Sequence, residues 1–368
     1  MSLFHRIIWI LNIFALGGLG LAMLAAYVNP EHFWWLSLFG LGFEILLVIN
    51  LIFVLFWLLV QSKRFLFSLA LVILGIGKVF GIIQVHPFAT SQEKLAAKGY
   101  VKVMTFNVRL FDLYNWFHNN QTRGRIFNFL SAESPDIVCF QEFYSSDKKP
   151  NKFKNDDTLK KVLNARYSQI EYTVTLRKTD HWGIATYSKY PIVHQQSVHY
   201  AKKGGSIFIF SDIKIGADTV RVFNTHLESV RFGWNDYHFI ENINKDDVEQ
   251  DEVAGSLHIL RRLKHAFVVR AQQIKVLKDS INASPYKVIV CGDFNDTPSS
   301  YTYHYVSSNL EDAFRESANG LGKTYSGPFP SFRIDYILHD PGIKSAGYKT
   351  LKAKLSDHYP ISCWIKVE

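Results

Sequence analysis

The chain has 368 residues, enough for two or three domains or for one large domain with an appendage. Its formal net charge of +9 suits an anionic partner, such as a phosphate, a nucleic acid or a lipid head group. Its 3 cysteines cannot form a disulfide framework, and each lies in an apolar, strand-like run. We therefore expect Cys139, Cys291 and Cys363 to be buried free thiols.

Three apolar runs with few charges occupy the N-terminal part of the chain. They predict membrane-spanning helices at about residues 7–28, 36–60 and 65–83, because a span needs roughly 20 mainly apolar residues. Lys78 lies near the end of the third run, where its side chain can reach the head groups. A cleaved signal peptide is the alternative for the first run, but "AAYVNPEHF" is a poor cleavage context.

The short loops between these runs predict an orientation. Arg6 precedes the first run and the "QSKR" loop is basic, whereas the "NPEHFWW" loop carries only an acidic charge. The positive-inside rule then places the N-terminus and "QSKR" in the cytoplasm. The predicted organisation is a membrane anchor (1–84), a linker (85–100) and a globular domain (101–368) on the non-cytoplasmic side.

The pattern after Tyr100 is that of an α/β domain. Strand-like runs such as "VKVMTFNV", "VRVFNTHL" and "YKVIVCGDFN" are separated by fewer helical stretches, among them "RGRIFNFLSAES". Many short strands with few helices predict packed β-sheets flanked by helices.

Polar residues of one kind stand at the ends of several of these strands. Alone, each is an ordinary turn residue after a strand, but six such strands in one domain favour a site built on strand-end loops. The residues concerned are Asn107, Glu142, His226, Asp293, Asn295, Asp335, Asp357 and His358.

These residue types favour one kind of chemistry. Carboxylate and amide oxygens are ligands for Mg²⁺ or Mn²⁺ rather than Zn²⁺, and the sequence has no Cys/His cluster at zinc spacing. A hard cation with two histidines and an aspartate suits phosphoester hydrolysis, in which a base activates water and an acid protonates the leaving oxygen.

Seven short motifs occur in the order typical of one superfamily. They are "TFNVR", "QE", "GIATYSKYPI", "THLES", "GDFND", "RIDYI" and "SDHYP". Through them, residues 101 to about 367 resemble the endonuclease/exonuclease/phosphatase superfamily, which includes neutral sphingomyelinases and inositol-polyphosphate phosphatases. The resemblance implies a four-layer sandwich of two packed β-sheets flanked by helices. It also implies a metal-dependent phosphoesterase.

The resemblance further implies a metal site. Glu142 matches the principal metal ligand, and Asn107 lies beside it as a ligand or as a contact to substrate. Asp357 matches a second acidic position near the metal, although orienting His358 is an alternative role for it. The implied cofactor is Mg²⁺ or Mn²⁺.

The remaining positions match catalytic residues. Asp293 and Asn295 match the pair that orients or deprotonates the attacking water and holds phosphate oxygens. His358 matches the histidine that contacts the phosphate, and Asp335 matches the carboxylate that pairs with it. His226 matches a histidine near the leaving group. The choice of general base, Asp293 or His358, stays open at the level of sequence.

The sequence leaves two function classes. The first is a membrane-anchored phosphoesterase, most consistent with a phosphodiesterase that acts on a nucleic acid or on a lipid head group. The second is a catalytically silent, membrane-anchored binding protein on the same fold. The expected partners are the phosphoester substrate and the bilayer, and no protein partner is inferred. An insertion at residues 228–265 is interpreted either as a surface loop or as a lid or membrane contact over the site, and Arg270 is expected to pair with a carboxylate.

Overall fold

The computed structural model describes residues 3–87, 91–148, 153–200, 206–231, 251–327 and 332–367. The chain divides into two compact units. One unit contains Met1–Ile82, Ser229–Ile274 and Asp296–Val306, and we call it the helical unit. The other contains Ile83–Glu228, Lys275–Asn295 and Ser307–Glu368, and we call it the sheet unit.

The strands of the sheet unit are numbered in chain order. They are β1 (Ile83–Gln84), β2 (Val101–Asn107), β3 (Ile137–Ser146), β4 (Tyr167–Leu176), β5 (Asp180–Ser188), β6 (Ile192–His199), β7 (Ile207–Ile215), β8 (Asp218–His226), β9 (Lys287–Asp293), β10 (Glu311–Asp312), β11 (Gly320–Leu321), β12 (Asp335–His339), β13 (Ile343–Thr350) and β14 (Ile361–Val367).

Two six-stranded sheets form the centre of this unit. The first has the order β13-β14-β2-β3-β5-β4, and the second has the order β10-β12-β9-β8-β7-β6. Both are mixed: β2 is parallel to β3 and β8 is parallel to β9, while their other pairings are antiparallel. The pair of packed sheets flanked by helices confirms that part of the predicted fold.

The alternation of side chains along β2 shows how the layers pack. Val101 and Val103 point into the core between the sheets, whereas Met104 and Phe106 belong to the outer core. That outer core includes Ile126 of a helix at Thr122–Glu133. Because both faces of β2 are covered, every residue of the strand is buried, including the polar Lys102, Thr105 and Asn107. The three cysteines lie in the inter-sheet core as free thiols, which confirms their prediction.

The helices, also in chain order, come from both units. They are α1 (Leu3–Leu24), α2 (Pro30–Phe33), α3 (Leu36–Leu41), α4 (Phe43–Leu59), α5 (Phe65–Leu74), α6 (Ile76–Val79), α7 (Gln92–Ala97), α8 (Thr122–Glu133), α9 (Asn155–Val162), α10 (Asp251–Asn282), α11 (Tyr301–Ser307) and α12 (Ala313–Ser317).

The prediction of three long membrane helices needs correction. Within the described residues only α1, with 22 residues, is long and apolar enough to span a membrane. The second apolar run is divided at Gly42 into α3 and α4, and the third is divided at Gly75 into α5 and α6. Both glycines have ψ near zero instead of the helical value near −42°. Hydropathy counts apolar residues and does not register such local breaks.

Half of the predicted insertion at 228–265, residues 232–250, lies outside the described residues. Its last part is helical, since α10 begins at Asp251.

Candidate active site

Three of the predicted site residues lie together at the ends of neighbouring strands of the second sheet. His226 ends β8 and Asp293 ends β9, and the parallel pairing of these strands puts the two residues opposite each other. Asp335 begins β12, and its antiparallel pairing puts it opposite Asp293 on the other side. The strand register therefore brings two carboxylates and an imidazole together at the ends of three neighbouring strands.

Two more site residues come from the first sheet. Asn107 ends β2 opposite Gln141 of β3, and Glu142 follows Gln141. The pairing of β3 with β5 shifts at this point, and Glu142 has a φ of 48°. A β-bulge of this kind re-aims a side chain out of the regular alternation of a strand. The Glu142 side chain is 34% exposed, although the flanking residues of β3 are buried.

Asn107 connects the two acidic residues. Its Nδ2 donates to Glu142 Oε1 over 3.2 Å and to Asp293 Oδ2 over 3.0 Å. Its Oδ1 accepts the backbone N–H of Arg109 over 3.1 Å. The amide group therefore presents its nitrogen, rather than its oxygen, to the space between the carboxylates.

His358 lies between two aspartates. Its Nδ1 is 3.0 Å from Asp335 Oδ2, and its Nε2 is 3.7 Å from Asp293 Oδ2. Burial by itself lowers the pKa of His358, but Asp335 and Asp293 raise that pKa well above its usual value. The imidazole is therefore positively charged near neutral pH, and its Nε2–H points towards the Asp293 side of the site.

Burial also perturbs the other titratable groups. It raises the pKa of Asp293 to about 6, against the lowering effect of His358. It raises the pKa of Glu142, and the nearby carboxylate of Asp357 adds to that rise. It lowers the pKa of His226, which makes this imidazole neutral near pH 7. Strongly perturbed groups that converge in one place are typical of functional sites.

His226 has an unused nitrogen. Its Nε2 lies 3.7 Å from Asp293 Oδ2 and 3.9 Å from Glu142 Oε1, both too far for a hydrogen bond. The atom is buried and has no hydrogen-bond partner within the described part of the chain. An unsatisfied buried polar atom costs free energy unless a ligand or water completes it.

Asn295 and Asp357 are held by local contacts. The N–H of Asn295 donates to Asp293 Oδ1 over 2.8 Å, and its Nδ2 donates to the carbonyl of Leu227 over 3.0 Å. Asn295 has a φ of 53°, which asparagine tolerates better than most residues. Asp357 Oδ2 lies 3.3 Å from the guanidinium Nε of Arg109.

Sequence reasoning missed the groups that support the site. Ser356 donates to the carbonyl of Asn107 over 2.8 Å, and Thr324 accepts the N–H of Asp335 over 3.1 Å. Beneath them, Gln141 donates to Asn224 over 2.7 Å within the buried layer between the sheets. The only sequence signals for these residues were the serine of "SDHYP" and polar residues inside otherwise apolar strands.

The donor set fits a hard divalent cation. The carboxylate of Asp357 is close enough to raise the pKa of Glu142, and the positive charges of His358 and Arg109 oppose this effect. A bound Mg²⁺ or Mn²⁺ would relieve this crowding of negative charge with oxygen ligands of the preferred kind. Ligand atoms of Asp293, Asp335 and His358 also lie within 4.8 Å of one another, but Asp335 and His358 already satisfy each other.

Comparison with solved structures supports the same fold. A structure titled endonuclease/exonuclease/phosphatase from Beutenbergia cavernae matches with a TM-score of 0.52 and 17% identity, covering 73% of this chain and 72% of that chain. The human Nocturnin catalytic domain with bound sulfate anion matches with a TM-score of 0.51 and 18% identity, covering 74% and 94%. A family protein from Bacteroides thetaiotaomicron has a TM-score of 0.52 and 15% identity, covering 73% and 98%.

Comparison with family models separates the two ends of the chain. Residues 5–81 match a domain of unknown function (DUF8431). No curated protein matches the chain. The model of the Endonuclease/Exonuclease/phosphatase family matches residues 104–358, which is more than half of the chain and contains all eight site residues. This chain therefore belongs to the Endonuclease/Exonuclease/phosphatase family.

Proposed function

We propose that this protein is a membrane-anchored, metal-dependent phosphoester hydrolase, and most specifically a phosphodiesterase. The observation that carries the proposal is the line of contacts from Asp335 through His358 to Asp293, together with the Asn107 bridge from Asp293 to Glu142. A charged imidazole beside a carboxylate whose pKa is about 6 is suited to bind a phosphate and to accept a proton from water.

Glu142 and Asp357 are the proposed ligands of a Mg²⁺ or Mn²⁺ ion, which when bound would neutralise charge on the phosphate. Asn107 is the third residue of this group. Its amide nitrogen already donates one N–H to each carboxylate, so we propose that Asn107 positions Glu142 and Asp293 beside the ion.

Asp293 is the proposed general base. Its Oδ2 lies 3.7 Å from the Nε2 atoms of both His226 and His358, and its Oδ1 accepts a hydrogen bond from the N–H of Asn295. The charged His358 is a poor base, so the proton of the attacking water goes to Asp293 while His358 donates to the phosphate. Asp335 holds the His358 ring through Nδ1. His226 is proposed to contact the leaving group with its unused Nε2.

A catalytically silent binding protein on the same fold is the alternative. The eight positions all keep groups that are chemically competent, and burial raises the pKa of Asp293 to about 6, near the working range of a general base. These observations favour the enzyme. The test is a screen of DNA, RNA, phospholipids and a generic diester with and without Mg²⁺, using the full-length chain and an Asp293→Asn variant. A binding protein would bind one of these compounds without hydrolysing it in either form.

The N-terminal region is proposed to be a multi-pass anchor (1–84) joined by a linker (85–100) to the catalytic domain (101–368). Its helices have an inverted pattern of polarity. Leu3 and Phe14 are 74% exposed, whereas Asn12 is fully buried. Asn12 donates to Ser68 over 2.8 Å and accepts from Trp57 Nε1 over 2.8 Å. Apolar side chains outside and polar contacts inside are typical of helices packed in lipid.

Helical hydrogen bonds also continue across the two glycine breaks. Gly42 donates to Leu38 and accepts from Leu46, and Gly75 donates to Leu71. On this basis we propose that α3 with α4, and α5 with α6, each act as one kinked span. Three spans would put the catalytic domain on the non-cytoplasmic side, as the charges of the loops indicate.

A further inference from the structure

The helical unit contains a segment of the chain that follows the catalytic strand directly. Asn295 is a residue of the candidate site. The next residue, Asp296, begins the segment Asp296–Val306, which belongs to the helical unit. We call residues 296–306 the exit segment. Resting on the proposed function, we propose that the enzyme hydrolyses phosphoesters of lipids in the bilayer that holds its own anchor.

The exit segment contacts residues at or just beyond the C-terminal ends of α1, α3 and α6. A Cβ atom on Gly81, two residues after α6 ends, would lie 2.8 Å from Cβ of Pro298. A Cβ atom on Gly40 in α3 would lie 3.4 Å from the carbonyl oxygen of Ser299. The ring of His304 lies 4.5 Å from that of Tyr27, beyond the end of α1. Two contacts come from just beyond the ends of α1 and α6, and the third comes from α3, the first part of the second proposed span.

That end of the anchor has the composition of a membrane interface. Trp34 and Trp35 lie between α2 and α3, and Lys264 places its ammonium 5.5 Å from the Trp34 ring. Lys78 lies 5.3 Å from the Tyr27 ring. Aromatic rings and lysine side chains concentrate at the level of the lipid head groups. The exit segment therefore lies at the head-group level of the proposed anchor.

The short stretch of chain between Asn295 and Pro298 limits how far the candidate site can lie from the exit segment. Pro298 is the third residue after Asn295, and three residues reach at most about 11 Å even when fully extended. This limit follows from covalent geometry alone. The backbone of Asn295 is accordingly held within about 11 Å of Pro298, at the head-group level of the proposed anchor. Phosphodiesters of membrane lipids lie at this level, whereas a nucleic acid would have to approach the same surface.

A basic helix strengthens the choice of a lipid surface. The first half of α10 carries exposed Arg261, Lys264 and His265. Gln272 of the same helix donates a hydrogen bond of 3.1 Å to Glu31 of α2, the helix that precedes Trp34 and Trp35. Basic residues next to a membrane surface attract anionic phospholipids, by about 1 kcal/mol per residue.

The exit segment is itself firmly held. Asp296 accepts hydrogen bonds from the buried Arg270, over 3.2 Å, and from Thr302, over 2.8 Å. The pairing of Arg270 with a carboxylate confirms the prediction from sequence. These hydrogen bonds hold the exit segment within the helical unit. In the hydrolysis, the water oxygen bonds to phosphorus, one P–O ester bond breaks, and the released alcohol takes up a proton.

The test uses the full-length chain reconstituted with Mg²⁺ into vesicles of phosphatidylglycerol, phosphatidylinositol and sphingomyelin. Release of water-soluble phosphate esters is measured by mass spectrometry. The same lipids in separate, protein-free vesicles serve as the comparison, and bis(4-nitrophenyl) phosphate serves as a soluble diester. We expect lipids of the enzyme's own vesicles to be hydrolysed at least about tenfold faster than lipids of the separate vesicles, because sharing a bilayer raises their effective concentration.

Two glycine variants probe the contact itself. Gly81→Leu pushes against Pro298, whereas Gly77→Leu, in the same apolar run, has nothing within 4 Å of its Cβ position. We expect Gly81→Leu to lower the ratio of lipid to soluble-diester hydrolysis by about tenfold, since small displacements at an active site have large effects on rate. Gly77→Leu should keep the wild-type ratio.

The outcomes distinguish the inference from the proposed function. Hydrolysis of the soluble diester or of an oligonucleotide without hydrolysis of any lipid would overturn the inference and leave the proposed function standing. Equal rates for lipids of the same and of separate vesicles, or a normal ratio in a well-folded Gly81→Leu variant, would also overturn it. Absence of hydrolysis of every probe would overturn both.

Discussion

Glu142 is the residue whose surroundings most directly indicate a bound cation. It stands in a bulge with positive φ, accepts one amide hydrogen bond from Asn107, and lies near the like charge of Asp357. Such a position stores unfavourable electrostatic energy, which a bound divalent ion would reverse.

Glu142→Gln should therefore change the metal requirement as well as the rate. We expect the Mg²⁺ concentration for half-maximal hydrolysis to rise about tenfold or more, the scale of effect seen when groups around a metal are altered. Mg²⁺ titration of activity measures this. Glu171→Gln is a matched control, because Glu171 pairs with His199 rather than with a site residue. An unchanged Mg²⁺ dependence in a folded Glu142→Gln variant would argue against Glu142 as a ligand.

A second ion pair, away from the site, predicts a dependence of stability on pH. His339 Nε2 lies 2.9 Å from Glu316 Oε2. Burial alone would lower the pKa of His339, but the hydrogen bonds to Glu316 and Asp340 and the nearby carboxylates of Glu316 and Glu311 together outweigh burial and raise that pKa above its usual value. The pair therefore stabilises the fold fully below pH 6.5 and loses this contribution as pH rises through the folded pKa.

The corresponding variant is Glu316→Gln. Its Tm in detergent should fall below that of the wild type by more at about pH 6 than at about pH 9, because only the charged imidazole gains from the carboxylate. Thermal unfolding at the two pH values tests this. A Tm difference that is the same at both values, or larger at the higher one, would show that the pair does not act as described.

At the scale of elements, the close approach of β8 and β9 determines the geometry of the site. Gly292 immediately precedes Asp293, has a φ of 150°, and leaves no room for a side chain. A Cβ atom there would lie 2.0 Å from the carbonyl oxygen of Thr225. Only glycine permits these two parallel strands to pair while presenting His226 and Asp293 side by side.

Gly292→Ala should destabilise the protein by about 2 kcal/mol or more, the range for backbone clashes in a core, and should reduce hydrolysis because Asp293 moves. Gly124→Ala is the matched control. Gly124 lies in the first turn of α8 with nothing within 4 Å of its Cβ position, and alanine there should leave stability unchanged or raise it by up to about 1 kcal/mol. Equal Tm values for the two variants would contradict the predicted close packing.

The sequence predicted elements better than it predicted their irregularities. The apolar runs that end in Asn107 and Asp293 correspond to β2 and β9, because alternation and strand-end polarity are local signals. The bulge at Glu142 and the breaks at Gly42 and Gly75 were not predicted. Each is a local change in backbone geometry, and no single residue pattern specifies such a change. The hydrogen bond between Gln141 and Asn224 was missed because the partners are far apart in sequence.

At the scale of the whole molecule, the exit segment belongs to the same compact unit as the proposed anchor. A division at residue 84 follows hydropathy, yet residues 296–306 belong to the same compact unit as the apolar helices. Contacts such as Gly81 with Pro298 join residues more than 200 positions apart, and a single sequence carries no signal for them. The proposed anchor and the exit segment are thus parts of one compact unit.

Orientation is also a property of the whole molecule. If the loop charges set the topology, a protease added to intact cells or spheroplasts should cleave the domain after residue 84 from outside. Immunoblotting of the fragments, with a cytoplasmic protein as the control for lysis, measures this. Cleavage only after lysis would reverse the orientation. Loss of residues 3–24 from the mature chain would identify the first helix as a signal peptide instead of a span.

The most direct measurement is Mg²⁺-dependent phosphoester hydrolysis by the full-length chain beside its Asp293→Asn variant, with Tm recorded for both. Asparagine keeps the shape of Asp293 but cannot accept the proton of water, so we predict hydrolysis that stops in EDTA and a rate in the variant lower by about 10² or more at a similar Tm. Near-wild-type turnover in a folded Asp293→Asn variant, or turnover unaffected by EDTA, would contradict a metal-dependent hydrolase that uses Asp293 as its base.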